Sequence, residues 1–477
     1  MLLVVLPTHN CYMNKHSKNI YELEHESIPR LVLRYFVPAF ASVVIHSLYN
    51  IVDRIFIGQG VGALALSGLS AIFPIMTIMM AFGMLVGMGA GVRISINLGK
   101  KDFDRAEKVL GNAFIMVLLL SIVIMVMGFL IKAPLLRFFG VNSETYEYAS
   151  DYLNIILVGT TFGMVGYSMN NMIRSEGSAK TAMYSMMISA GLNIVLDPIF
   201  IFWLDMGVKG AAYATVISQF ALFIWVIRHF NSKYSVIRMK RINFKINREI
   251  VWNIVSIGFA PFSMQLAASL VFGTFNVQLI KYGGDIAIAA MGIIMSIAML
   301  MIMTIIAVNM AAQPIIGFNY GAKNYTRVRQ SLYIGLGFAT FISVLGFGVG
   351  ELFPKTIIKL FNNDSAELMT IGTRGLRIFL MALPLVGFQI VAGNYFQSIG
   401  KAGLAALISL LRQVIVLIPV LLVLPIYMDL TGVWLSGPIS DTISAMVTGT
   451  FLVLEIKKLN KTISFYKEKN ETVNHSE

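Results

Sequence analysis

Apolar stretches of about twenty residues alternate with short polar or basic connections along the chain, and the first, Leu31 to Ile57, sets the pattern. A helix needs about 20 mainly apolar residues to cross a bilayer core. Twelve stretches meet that criterion, starting near Leu31, Leu66, Lys108, Tyr152, Thr181, Gly210, Ile250, Ile286, Val328, Gly372, Ala402 and Thr431. They predict an all-α polytopic membrane protein of twelve transmembrane helices, with connections too short to hold a soluble domain. Prolines recur inside the spans at Pro38, Pro74, Pro198, Pro261, Pro384, Pro419 and Pro438. Each removes a helical hydrogen bond and kinks its helix, which a membrane protein tolerates where neighbours or a water-filled cavity satisfy the freed carbonyl. Pro38, in the helix that also carries Asp53, is the one expected to move.

The pattern repeats. Pro38 matches Pro261, 223 positions on; the segment from Asn97, NLGKKDFDRAEKVL, matches NYGAKNYTRVRQSL from Asn319, 222 on; NNMIRSEGSA, ending at Ala179, matches GNYFQSIGKA, ending at Ala402, 223 on. A nearly constant offset that keeps loop motifs in register indicates duplication of a six-helix unit. Six is even, so both halves enter the membrane from the same side. Such parallel repeats place the substrate path in a central cleft between them. The organisation expected is an N-terminal cytoplasmic segment (1–29), a first lobe of helices 1–6 (30–228), a basic linker (229–249), a second lobe of helices 7–12 (250–455) and a cytoplasmic tail (456–477).

Composition agrees with this and adds an orientation. The 477 residues are 57% hydrophobic and only 13% charged, against about 25% charged in soluble domains. The net charge of +13 would suit nucleic acid, but its distribution explains it otherwise. With the N-terminus inside, 27 Lys and Arg fall on the inner side and nine on the outer, Arg412 lying within a span. The positive-inside rule then puts both termini in the cytoplasm, and nucleic-acid binding is not expected. A single cysteine, Cys11, excludes an intrachain disulfide framework or a cysteine metal cluster. The opening residues lack the basic flank and apolar length of a signal peptide, and translation could start at Met13 rather than Met1.

Three acids interrupt the apolar spans, Asp53, Asp197 and Asp441, with Glu176 at the edge of one. An intramembrane charge costs about 2.5–3.5 kcal/mol on insertion scales, so such a residue is a functional candidate. In the first span His46, Tyr49, Asn50 and Asp53 share one helix face. In the fifth, Asn193 and Asp197 are four apart; in the sixth, Thr215 and Gln219 repeat that spacing. Two carboxylates with amide and hydroxyl oxygens suit either shared protons or a small hard cation, with Na+ possible at Asp53, Asp197 and Asn193. The bland alternatives are structural hydrogen bonds, or an Asp53–Arg54 pair. His46 is either a hydrogen-bonded core group or a proton relay. The second half lacks matching acids, since Phe275 and Asn276 stand opposite Asp53, and Pro419 and Val420 opposite Asp197. Ion coupling is therefore expected in the first half, and Asp441 is expected to pair with Arg412, Arg374 or Arg377.

The segments YNIVDRIFIG, GAGVRISINLGKKDFDRAEK, IRSEGSAKTAMYSMMISAGLNIVLDPIFIF and QPIIGFNYGAKNYTRVR together resemble the multidrug and toxic compound extrusion (MATE) family, over roughly Ile28 to Glu455. Among its branches the chain looks most like the MepA-like exporters and the related DinF-type members. The resemblance implies a first-half cation site with Asp53 and Asp197 as the protonatable or sodium-binding carboxylates, and Asn193 and Thr215 as further ligands. It links Glu176 to drug handling, whereas the residues alone allow a helix-end charge beside Arg174 and Lys180. NorM-type members are expected to carry further acids in the second half, which this chain lacks.

Other motifs are missing from the sequence. There is no GxxxxGK[ST] loop for ATP and no HExxH metal spacing. Gly83, Gly87, Gly89 and Gly91 read as close helix packing. The 29 methionines, Met295 among them, suit either a promiscuous binding surface or ordinary gap filling. With Phe272, Phe275, Phe388 and Tyr395 they are candidates to line a pocket for flat lipophilic cations. The function expected is secondary active multidrug efflux by a monomer in the cell (inner) membrane, exporting lipophilic drugs against inward H+ or Na+ and using no cofactor. The alternative is a lipid-linked oligosaccharide flippase, which needs a more basic cavity than the first-half spans offer. A membrane-embedded enzyme or a non-transporting scaffold is disfavoured by the repeat and by the buried acids.

Overall fold

The structure, a computed structural model, describes residues 15–361 and 365–474. Cys11, Met1 and Met13 lie outside the described residues. A short helix α1 (Lys15–His25) precedes α2 (Ile28–Gly60), α3 (Ala63–Gly99), α4 (Phe103–Leu130), the short α5 (Lys132–Phe138), α6 (Tyr146–Ser175), α7 (Ala179–Pro198) and α8 (Gly207–Phe230). Then follow α9 (Arg248–Gly321), α10 (Tyr325–Leu352), the short α11 (Pro354–Phe361), α12 (Ala366–Leu380), α13 (Leu383–Ser398), α14 (Ala402–Leu410) and α15 (Ile418–Asn474). No strand occurs among the described residues.

Two of these helices are too long for one crossing. At 1.5 Å per residue the 74 residues of α9 would span about 111 Å, against a core of about 30 Å. The chain breaks helical geometry at Gly284 in α9 and at Asp429 in α15. Nine described helices are long and apolar enough to span, and α12 and α13 form one more crossing bent by 42°. With α9 divided at Gly284, and the continuous stretch of α14, Leu411–Leu417 and α15 divided at Asp429, twelve crossings result, matching the hydropathy pattern. Pro314 and Pro425 join the prolines expected inside helices.

The duplication is visible in the backbone itself. Left-handed residues recur in register: Gly62 with Gly284, Lys101 with Lys323, Gly177 with Gly400, and Asp205 with Asp429. Those left-handed residues mark tight turns, so each half reverses direction at the same places. Even the short α5 and α11 start 222 positions apart.

The halves meet chiefly through α3 and α9. A Cβ on Gly99 would lie 1.9 Å from the Phe318 carbonyl oxygen, and one on Gly321 would lie 2.0 Å from that of Ile96. Only glycine permits that approach, and the two contacts are mirror copies under the 222-residue offset. This explains the glycine of the repeated NLG and NYG motifs. Gly87, Gly89 and Gly91 likewise abut Ser168, Ile254 and Ser175, as expected of packing glycines. Further contacts between the halves gather near the same end, Arg93 with Asn253 and Arg327 donating to the Leu23 and Glu26 carbonyls at 3.1 and 2.8 Å, while Phe82 meets Phe262 at 4.9 Å midway along α3. The molecule is closed at the end bearing the basic loops.

Candidate cation site

Asp53 sits about two turns before the C-terminal end of α2, and Asp197 and Asn193 sit on the last turns of α7. After Asp197 comes Pro198, whose missing N–H leaves the carbonyl four residues earlier, on Ile194, without its helical donor. The helix answers by widening into a π turn over Ile199–Trp203, with the Leu204 amide donating to the Ile199 carbonyl at 3.0 Å. Such π turns frequently sit at functional sites.

Asp197, Asn193 and Thr215 are buried, at 0%, 2% and 7% exposure, and Asp53 is half-buried. Asn193 Nδ2 donates to Asp197 Oδ1 at 3.1 Å and to Thr215 Oγ1 at 3.5 Å. The carboxyls of Asp53 and Asp197 are neighbours, close enough to act on one another electrostatically. Asp53 Oδ1, Asn193 Oδ1 and Asp197 Oδ2 are all buried without a hydrogen-bond partner. Buried polar atoms are nearly always satisfied, so three orphan oxygens from three residues of one cluster fit a positively charged occupant, a proton or a small hard cation. Arg54 does not provide it: its guanidinium lies over the Phe73 ring, 5.1 Å from the centroid, and Asp53 has no ion pair among the described residues.

The rest of the first-span stripe continues along α2. Asn50 Nδ2 donates to the His46 carbonyl at 2.7 Å, His46 packs edge-on against Tyr49 at 5.0 Å, and His46 Nδ1 is buried without a partner. Tyr49 lies beside Asp53. Sequence reasoning missed Tyr152 of α6, which is 3% exposed and lies next to Asp53 and Thr215. A tyrosine inside a span must find a partner for its hydroxyl, and that signal was available. Gln219 lies one turn further along α8, against Gly163.

Glu176 lies elsewhere. It stands at the C-terminal end of α6, as a helix-end charge would, but fully buried. Its carboxylate faces His229 Nε2 at 2.5 Å and accepts from Ser235 Oγ at 2.8 Å and the Val236 and Ile237 amides at 3.0 and 3.3 Å. It thereby fastens the connection between the halves to the α6–α7 turn. Arg174 beside it is also buried, donating to Asn170 and Asn171 at 3.1 Å each, so one basic group does lie inside the first half.

The proposed aromatic lining separates. Phe275 and Tyr395 are core residues at 2% and 0% exposure, and Met295 packs against the second-half core. Phe272 is exposed, and Phe388 is partly buried. Helix packing had first use of these side chains, which composition could not foresee. Of the three arginines offered to Asp441, the structure selects Arg412, at 2.6 Å. This pair stands 223 positions after Ser189 and Ser218, where Ser189 Oγ donates to the Ser218 carbonyl at 2.9 Å. The second half thus holds an ion pair where the first holds a serine contact.

Comparisons with known proteins agree with this architecture. The MatE family model matches residues 38–199 and again 250–423, one block in each half. The chain is 28% identical over 440 residues, 92% of its length and 96% of the relative's, to multidrug export protein MepA of Staphylococcus haemolyticus. It is 26% identical over 433 residues to the MepA of Staphylococcus aureus, covering 90% of this chain and 94% of that one. Among solved structures it resembles an outward-facing multidrug resistance MATE transporter of the MOP superfamily, with TM-score 0.86, 26% identity, and 93% and 99% of the two chains covered. A MOP superfamily transporter from Pyrococcus furiosus, whose binding pocket of reverse polarity suggests a different function, matches with the same TM-score, identity and coverage. With two family blocks spanning most of its length and the fold to match, the chain belongs to the MatE family of transporters.

Proposed function

We propose that this protein is a secondary multidrug exporter that releases lipophilic, often cationic, drugs in exchange for H+ or Na+ entering at Asp53, Asn193, Asp197 and Thr215. The observation carrying this reading is the convergence of three unpartnered oxygens from Asp53, Asn193 and Asp197 in a chain of this family. Two neighbouring carboxyls can share a proton through a hydrogen bond, so the Asp53–Asp197 pair suits a proton as readily as a metal cation. With the carboxylates charged, the half tolerates an organic cation; neutralising them removes that differential affinity and favours release. With the inside negative, each positive charge moving inward gains about 2.3 kcal/mol per 100 mV, which can drive export. Closure at the basic-loop end leaves the opposite side for release. The lobes 30–228 and 250–455 rock about the α3–α9 contact, joined by the 229–249 connection. The protein acts as a monomer without enzymatic activity, in the cell membrane with both termini cytoplasmic. Ethidium efflux from loaded proteoliposomes, with proton and sodium gradients imposed separately, tests the reading. Efflux under one gradient is expected, together with its loss in Asp53→Asn; no efflux under either, or wild-type rates in Asp53→Asn, would overturn it.

A further inference from the structure

A cavity of about 910 Å³ opens at the basic-loop end of the first half, between α1, α2 and the facing ends of α7 and α8. Its charge is unbalanced. Arg34 within it is matched by Glu22 and Glu26 at 2.8 and 2.7 Å, but Lys180 and Arg228, which also line it, have no ion pair among the described residues. The first turn of α7 lines it as well, through Ala179, Lys180 and Thr181, and a helix N-terminus presents amides to an anion. Trp225 and Tyr184 complete the wall, and the Trp225 indole nitrogen is buried without a partner.

The outer faces of the same two helices say what kind of anion fits. On α7 the exposed residues Tyr184, Ile188, Leu192 and Val195 form one stripe, and Lys180 stands at its polar end. On α8 the exposed Tyr213, Ile217, Phe220 and Ile224 form another, and Arg228 stands at its polar end. Helical spacing keeps each set on one face. In a spanning helix an exposed apolar stripe faces lipid, and Trp and Tyr favour the headgroup level. Two lipid-facing stripes on neighbouring helices therefore each end in an unpaired cation beside one aromatic-walled cavity.

We propose that this cavity binds the phosphate headgroup of an anionic phospholipid, with Lys180, Arg228 and the α7 amides holding the phosphate and the acyl chains lying along α7 and α8. Basic pockets between spanning helices recognise such headgroups, each Lys or Arg near the surface contributing about 1 kcal/mol. The test is lipid titration of the purified full-length protein by native mass spectrometry, using phosphatidylglycerol, phosphatidylcholine and glycerol 1-phosphate as probes. Phosphatidylglycerol should bind about thirtyfold more tightly than phosphatidylcholine. That preference should essentially vanish in Lys180→Gln/Arg228→Gln, fall by about fivefold in each single neutral variant, and survive in Lys180→Arg and Arg228→Lys. Undiminished preference in the neutral variants would overturn the proposal. So would glycerol 1-phosphate competing at concentrations equal to the lipid, because the site would then serve soluble phosphates.

Discussion

Glu176 and Asp53 show two opposite fates for an acid in this chain. Glu176 has its lone pairs filled by a histidine, a hydroxyl and two amides, and it joins the α6–α7 turn to the connection between halves. Removing one side of a buried polar network leaves the other side unpaired and costs about 3–5 kcal/mol. Glu176→Ala is therefore expected to lower the melting temperature of the purified protein by several degrees. A variant as stable as the wild type, with only its drug profile altered, would instead support the link to drug handling that the family resemblance implies. Asp53 has an oxygen left over, as does Asp197, and such groups are poised for an exchangeable partner. The sequence showed which residues could meet on each helix face, but the meeting itself needed α2, α7 and α8 to pack together. Tyr152 went unnoticed because its neighbour Thr215 lies on another helix, and no spacing rule links α6 to α8.

Helices here are placed by their interruptions as much as by their apolar faces. Pro198 ends regular geometry just past Asp197 and yields the π turn, so the acid stands where backbone hydrogen bonding is already disturbed. A second π segment covers Leu411–Leu417 and carries Arg412. The α3–α9 crossing depends on glycine in the same way: any side chain at Gly99 or Gly321 collides with the partner's backbone. Gly99→Ala is expected to separate the halves at their closed end. Cross-linking of an Arg93→Cys/Asn253→Cys pair by a short bifunctional thiol reagent that spans the length of the native side-chain contact should then fall several-fold. Unchanged cross-linking in the Gly99→Ala background would show that the contact is not what holds that end shut. The repeated NLG and NYG motifs were legible as a repeat, whereas their mutual contact was not, because offset alone says nothing of which copies touch.

At the scale of the molecule, orientation is the property most open to a direct check. With the N-terminus taken as cytoplasmic, inner segments would carry 27 Lys and Arg against nine outside, and the positive-inside rule predicts that arrangement. A C-terminal tag should be cleaved by protease in inside-out vesicles and protected in intact cells; the reverse pattern would invert the assignment. The amino-acid sequence by itself determined the twelve apolar stretches, the duplication, the charge bias and the identity of the intramembrane acids. All of these are one-dimensional properties, carried by hydropathy and by residue offset. Tertiary structure decided which candidates share a site, since Asp53 meets Asp197 only after two helices more than a hundred residues apart have packed. It also moved Glu176 into a structural network, placed Phe275 and Tyr395 in the core, and chose Arg412 for Asp441. Those outcomes depend on which face each helix turns inward, and in a membrane both faces are apolar, so hydropathy leaves that rotation open until the neighbouring helices settle it.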